Sequence, residues 1–392
     1  MPLVKEYYTQ RASAPGTLLI AEGMAINRAI DFLPGLYTEE HARKWREVTD
    51  AVHAKGSYIF AQFAGVGRIA SPEVLARQTP PKELIGPSAI AVPPGPSMLS
   101  SSSSTPPVPR PMTHDEIRAE IADFAESVRL AVDVAGFDGV ELHACTGSLV
   151  EQFLRDVSNV REDEYGGSIE RRARFPLEVV EAMVNVAGAD RVGVRVTPFN
   201  TNFGMTMQDP IPTYTYFASE LRKRFPSLAY LHAVEARGAD YIDEVPVPTQ
   251  ESLDFLRRIW AGPGRVFISA GGYTRETAIA RAEESAELYE GMVELVAFGR
   301  RFISNPDIHL RLKENLPLNA YDRTTFYQFG DASGKGYTDY PFYGWDDNGD
   351  ASKLSSTLAG PDVAQAGGNR LKSLHEKAPD ESSVLCVRCL IC

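Results

Sequence analysis

The sequence predicts an α/β chain folded as a (β/α)8 TIM barrel that lacks its first strand at the N-terminus. Seven short runs are apolar throughout, helix-length amphipathic segments separate them, and only sixteen residues without a strand pattern precede the first run. Strands that are apolar on both faces and joined by helices imply parallel pairing with both sheet faces covered. Seven βα units are more than an open doubly wound sheet usually holds and one fewer than a closed barrel needs.

The runs come in order. TLLIAEG (17–23) is followed by the helical pattern HARKWREVTDAVHAKG and then by YIFAQF (58–63). IRAEIADFAESVRLAVDVAG carries apolar residues at helical spacing and leads into GVELHA (139–144). Thr113 with Glu116 three residues on has the form of a capping box ahead of that helix. RVGVRV (191–196), YLHAVE (230–235), VFISAGG (266–272) and LVAFGR (295–300) complete the series. Before residue 17, EYYTQRAS reads as a short helix or loop, so the chain begins after the first strand of its barrel.

Two regions fall outside the alternation. Residues 92–112, VPPGPSMLSSSSSTPPVPRPM, are Pro/Ser-rich and read as a mobile surface excursion from a barrel domain spanning 1–346. Residues 347–392 lack apolar periodicity and read as a largely disordered tail.

Composition narrows the function. The chain has 392 residues, 43% of them hydrophobic, enough for a large core. A net charge of −12 without a basic stripe argues against nucleic acid or an anionic membrane as partner. The N-terminus carries no secretory or organelle signal, and no apolar run is long enough to span a bilayer. Cys145 stands alone, while Cys386, Cys389 and Cys392 crowd the end, which is no disulfide framework. A cytoplasmic setting follows as the expectation. Three thiolates without a fourth ligand do not specify a metal site, and CLIC without a polybasic stretch is a poor prenylation box.

Parallel-barrel enzymes keep their chemistry at the carboxyl ends of the strands. GVELHA places His143 there, followed by Gly147 and a charged, glycine-bearing segment. That segment, HACTGSLVEQFLRDVSNVREDEYGGSIERRARF, resembles the old yellow enzyme family of flavin-dependent ene-reductases. The corresponding family run is H-x-A-[NH]-G-Y-L-x-x-Q-F-L followed by N-x-R-x-D-x-Y-G-G-S-x-E-N-R. FAQFAGVGR, RVGVRVTP, YLHAVEAR, ISAGGY, AFGRRFISNPD and YDRTTFYQFGDASGKGYTDYP extend the resemblance in order over residues 5–342. It looks closest to fungal members that act on natural-product intermediates.

The resemblance implies FMN across the barrel mouth, with NADPH as reductant and a small-molecule substrate, and it leaves a homo-oligomer open. Gln62 matches the glutamine that binds the flavin pyrimidine, and Gly23 the small residue that lets the flavin pack. Arg195 matches the arginine beneath the N1/C2 carbonyl, where a fixed cation favours anionic reduced flavin. Taken without the motif, Arg195 could equally be a barrel ion pair with a carboxylate such as Glu235. Gly271, Gly272, Gly299 and Arg300 match the loops that hold the FMN phosphate, which suits glycine's open backbone and arginine's forked charge. His143 and Thr146 match the two donors that polarise the substrate carbonyl while hydride reaches the β-carbon. Tyr327 matches an aromatic at the pocket mouth.

Three departures bear on the reaction. Thr146 replaces the family's Asn or His donor and reaches less far. Ser148 stands where the family has its tyrosine acid, and a serine hydroxyl is a far weaker acid than a phenol. Ser148 either makes room for a bulky substrate or leaves protonation to water, and it equally suits isomerisation, cyclisation or desaturation. The absent first strand leaves two ladder edges for another segment or a partner chain to cover, or else weakens flavin binding, and a shortened gene product accounts for it as well. The resulting expectation is an FMN-dependent oxidoreductase acting on an α,β-unsaturated carbonyl. The alternatives are a redox-neutral or oxidative flavoenzyme and a flavin-free, non-catalytic barrel.

Overall fold

Seven parallel strands form one curled sheet in the computed structural model, which describes residues 1–29, 33–94, 106–236, 251–326 and 331–344. In chain order they are β1 (Leu18–Ala25), β2 (Tyr58–Ala64), β3 (Gly139–Ala144), β4 (Val192–Val196), β5 (Tyr230–Val234), β6 (Arg265–Ala270) and β7 (Met292–Ala297). Each pairs with the next. Every run predicted from sequence is a strand. The last one starts earlier, at Met292, because Glu294 points outward to a buried cation and the strand is not apolar throughout.

Among the described residues the barrel is open between β7 and β1. Residues Pro2–Arg11 form helix α1 rather than a strand. α1 packs on α2 (Glu39–Ala54), and Tyr8 holds the β1 side through a hydrogen bond from Glu22 N to its hydroxyl at 3.0 Å. On the other side of the gap, Arg11 donates to the carbonyls of Phe302 and Ile303, just after β7. One helix thus ties β1 to the segment that follows β7. Val293, on the open edge, is 54% exposed.

The helices form for ordinary reasons. Thr38 caps α2 by accepting from His41 N, and Ala42, Trp45, Val48 and Val52 turn a helical stripe inward. α3 (His114–Arg129) begins with the expected capping box, Thr113 and Glu116 satisfying each other's free backbone donors. The Pro/Ser-rich excursion is closed at its base by a short parallel ladder, Ile85–Gly86 with Arg110–Pro111. Residues 95–105, the tail from 345 onward and Tyr327 lie outside the described residues.

Most of the core lies between sheet and helices, while a second cluster fills the barrel itself around Ile20, Phe60, Tyr230 and Ile268. Room for the two rings comes from neighbouring glycines. A Cβ at Gly139 would sit 2.4 Å from the Phe60 ring and one at Gly193 would sit 2.2 Å from the Tyr230 ring. Because side chains alternate along a strand, the residues two further on also face inward. Above the aromatic layer this puts Gln62, Glu141, Arg195 and His232, with Gln62 in register with Glu141 and Arg195 with His232.

Candidate active site

That upper layer is a continuous polar chain. Glu141, fully buried on β3, accepts from Gln62 Nε2 at 2.6 Å and from His232 Nδ1 at 2.9 Å. Gln62 Oε1 lies 2.8 Å from Nδ1 of His143, two residues beyond Glu141. Burial pushes the Glu141 carboxyl upward, but His232, Arg195 and the two hydrogen bonds outweigh it, so the group is held below the usual carboxylate range. Burial and the Arg195 charge depress His143 to about 3, which keeps the imidazole neutral.

Cys145 completes the cluster. Its sulfur lies 3.3 Å from both ring nitrogens of His143 and 3.4 Å from Arg195 Nη1. Burial pushes its thiol up to about 12, so it is no thiolate nucleophile despite the nearby cation.

After β3 the chain makes a left-handed turn at Thr146 (φ +50°) and Gly147 (φ +79°). Glycine is required at 147, where a Cβ would lie 2.7 Å from the Phe203 ring. Thr146 is β-branched and pays for this backbone in strain. Ser148 is buried, and its hydroxyl donates to the backbone carbonyl of His143 at 2.7 Å. The hydroxyl is therefore committed to the main chain, and its small size is what Ser148 offers any pocket.

At the far side of the mouth, β6 ends in Gly271 (φ +121°) and Gly272 (φ +64°), and Gly299 starts the short helix after β7 that carries Arg300. Arg300 stacks over the Tyr321 ring at 5.6 Å. Glu235, the carboxylate considered as a partner for Arg195, is instead taken by Arg257 (2.6 Å) and the Tyr273 hydroxyl (2.7 Å). Gly23 pairs in register with Gln62 on the β1 side. The residues expected at the site therefore fall into a group with Gln62, His143 and Arg195 in contact or in register, Thr146 and Ser148 on the next turn, and glycine loops at β6 and β7. Glu141, His232 and Cys145 were not anticipated. Glu141 and His232 had one visible signal, a charged or polar residue inside an otherwise apolar strand.

This arrangement suits a planar group with an anionic tail at the strand ends, and residues 2–319 match the NADH:flavin oxidoreductase / NADH oxidase family. The chain belongs to the old yellow enzyme family. It is an FMN-dependent oxidoreductase. It is 45% identical to a chanoclavine-I aldehyde reductase of Penicillium roqueforti over 345 residues, covering 87% of each chain. An aldehyde reductase of a Cladobotryum species is 42% identical, with 87% of this chain and 86% of that one covered. A probable inactive reductase of Epichloe festucae var. lolii is 41% identical, with the same coverage. Among solved structures, morphinone reductase in complex with tetrahydroNAD matches with a TM-score of 0.73 at 37% identity, covering 89% of this chain and 90% of that one. The old yellow enzyme from Trypanosoma cruzi matches with a TM-score of 0.75 at 31% identity, covering 87% and 89%.

The cavity side of the old yellow enzyme sheet fits FMN on its own geometry. A Cβ at Gly23 would stand 3.5 Å from Gln62 Oε1, an ordinary contact, so a small residue here keeps the face beside that amide uncrowded. After β6, a Cβ at Gly271 would press on Glu235 at 3.2 Å, and its positive φ further selects glycine.

Proposed function

We propose that this flavoenzyme uses NADPH to reduce an α,β-unsaturated carbonyl, an enal in particular, drawn from a secondary-metabolite pathway. The carrying observation is the neutral His143 held at the end of β3 against Gln62 and in register with Arg195, with Thr146 three residues on. Aldehyde reductases among the relatives support the enal over a simple enone. The chemistry that bound FMN would supply is hydride transfer, with NADPH as the source and the β-carbon as the acceptor. Gln62 and Arg195 would hold the flavin ring, and the Gly271–Gly272 and Gly299–Arg300 loops would hold its phosphate. His143 and Thr146 bind the carbonyl oxygen and stabilise the charge that develops there. Arg195, a permanent cation beside the imidazole, keeps His143 from charging and so preserves it as a neutral hydrogen-bonding group.

A second reading rests on Ser148. With its hydroxyl bonded to His143 O, this chain has no acid at the position of the family tyrosine, so the α-carbon takes its proton from water or the net reaction needs none. An isomerase, cyclase or desaturase fits the latter case, and several relatives carry names marking them as a probable inactive reductase or dehydrogenase.

The test has two steps. Purified protein that stays colourless after FMN is added would refute both readings. Reduced, flavin-loaded protein is then mixed anaerobically with cinnamaldehyde. Flavin reoxidation with saturated aldehyde supports reduction, whereas flavin that stays reduced while the aldehyde is rearranged supports the second reading.

A further inference from the structure

We infer that Glu151 is a positioning residue that holds the strained Thr146–Gly147 turn against the substrate. The inference rests on the reading that Thr146 meets the substrate carbonyl. Glu151 is fully buried on the helix Leu149–Leu154, and both carboxylate oxygens point back to the turn and to the loop after β4. One oxygen accepts from Gly147 N at 2.6 Å and from Asn200 Nδ2 at 3.3 Å. The other accepts from the Thr197 hydroxyl at 2.9 Å and the Tyr214 hydroxyl at 3.2 Å, and pairs with Arg155 at 2.7 Å. The Thr197 hydroxyl in turn accepts from Thr146 N at 3.2 Å.

Both amides of the left-handed turn therefore answer to one carboxylate, Gly147 directly and Thr146 through a hydroxyl. A β-branched residue keeps a positive φ only where its surroundings over-determine it, and these two bonds do so. A helical ion pair with Arg155 would not need this geometry. Arg155 also donates to the carbonyls of Thr197, Pro198, Asn200 and Met205, so it has acceptors apart from Glu151. A carboxylate is the group required, because it only accepts, and an amide at 151 would set a donor against the donors that converge there.

The experiment uses the FMN-loaded full chain and two variants, Glu151→Gln and Thr197→Val. Hydrogen exchange is followed over the 143–149 peptide, alongside flavin content, the rate of flavin reduction by NADPH, and kcat and KM for cinnamaldehyde. The expected result is about tenfold faster exchange in that peptide and a KM raised about tenfold, with flavin content and the reduction rate unchanged. Unchanged exchange in both flavin-loaded variants overturns the inference, as does a KM rise that appears only with loss of flavin. If Glu151→Gln fails to fold, Thr197→Val decides, since it removes one hydroxyl and leaves the ion pair. Faster exchange with unchanged KM would instead sink the substrate role of Thr146, leaving the hold on the turn intact.

Discussion

Gln62 Oε1 sits 2.8 Å from Nδ1 of His143 because the nitrogen of the same amide is fixed on Glu141. A carboxylate can only accept, so Gln62 must turn its nitrogen to Glu141 and its oxygen to His143. The proton of the neutral imidazole is thereby placed on Nδ1, and Nε2 carries a lone pair. Donation from Nε2 to a carbonyl oxygen requires the proton to change nitrogen.

It follows that Gln62 governs the tautomer of His143. In 15N NMR of labelled imidazole, the flavin-free protein should show the Nδ1–H form, and Gln62→Leu should move the population toward Nε2–H. FMN loading should do the same if Gln62 transfers its amide to the flavin. An unchanged tautomer in the Gln62→Leu protein would show that other groups set it.

His143 also makes stability depend on pH. Its folded pKa, about 3, lies below its ordinary 6.5, so between those values the unfolded chain binds the proton and the folded one does not. Stability should fall as pH drops below about 6.5, by up to about 1.4 kcal/mol per pH unit for this group. His232, depressed mainly by burial, acts in the same direction. Urea midpoints between pH 7 and 5 should show the slope, and His143→Asn should flatten it. Equal slopes in the two proteins would refute the assignment.

Thr146 should be improvable. Asn tolerates a positive φ far better than a β-branched residue, so Thr146→Asn is expected to raise stability by about 1 kcal/mol. It also restores an amide donor beside His143 and should lower KM for an enal. A melting temperature that drops would mean the threonine side chain contributes more than its backbone costs.

Ser148→Ala should leave turnover within about twofold, because the hydroxyl is already bonded to His143 O and delivers no proton. It should cost about 1 kcal/mol of stability, the usual worth of such a bond. A tenfold fall in the rate of flavin reoxidation by cinnamaldehyde would make Ser148 a proton donor after all.

Much of the fold was legible in the chain because buried parallel strands advertise themselves as continuous apolar runs, and because caps such as Thr113 with Glu116 are local. β7 was read three residues too late, from 295 rather than 292, because Glu294 interrupts the apolar run and its compensating cation, Arg257, comes from 37 residues away. His143, Gln62 and Arg195 could be named from motif and strand position. What they do to one another could not.

The sequence by itself determined the repeating strand and helix units, the glycine loops at the strand ends, and the loss of the family's amide and tyrosine near His143. Only the tertiary structure decided that Glu235 serves Arg257 rather than Arg195, that Ser148 spends its hydroxyl on the main chain, and that Thr146 sits in a left-handed turn held from Glu151. Composition and periodicity report burial, which each residue carries in its own side chain. Hydrogen-bond partners and backbone strain depend on which distant segments the curled sheet brings within about 3 Å, and that is a property of the packed whole.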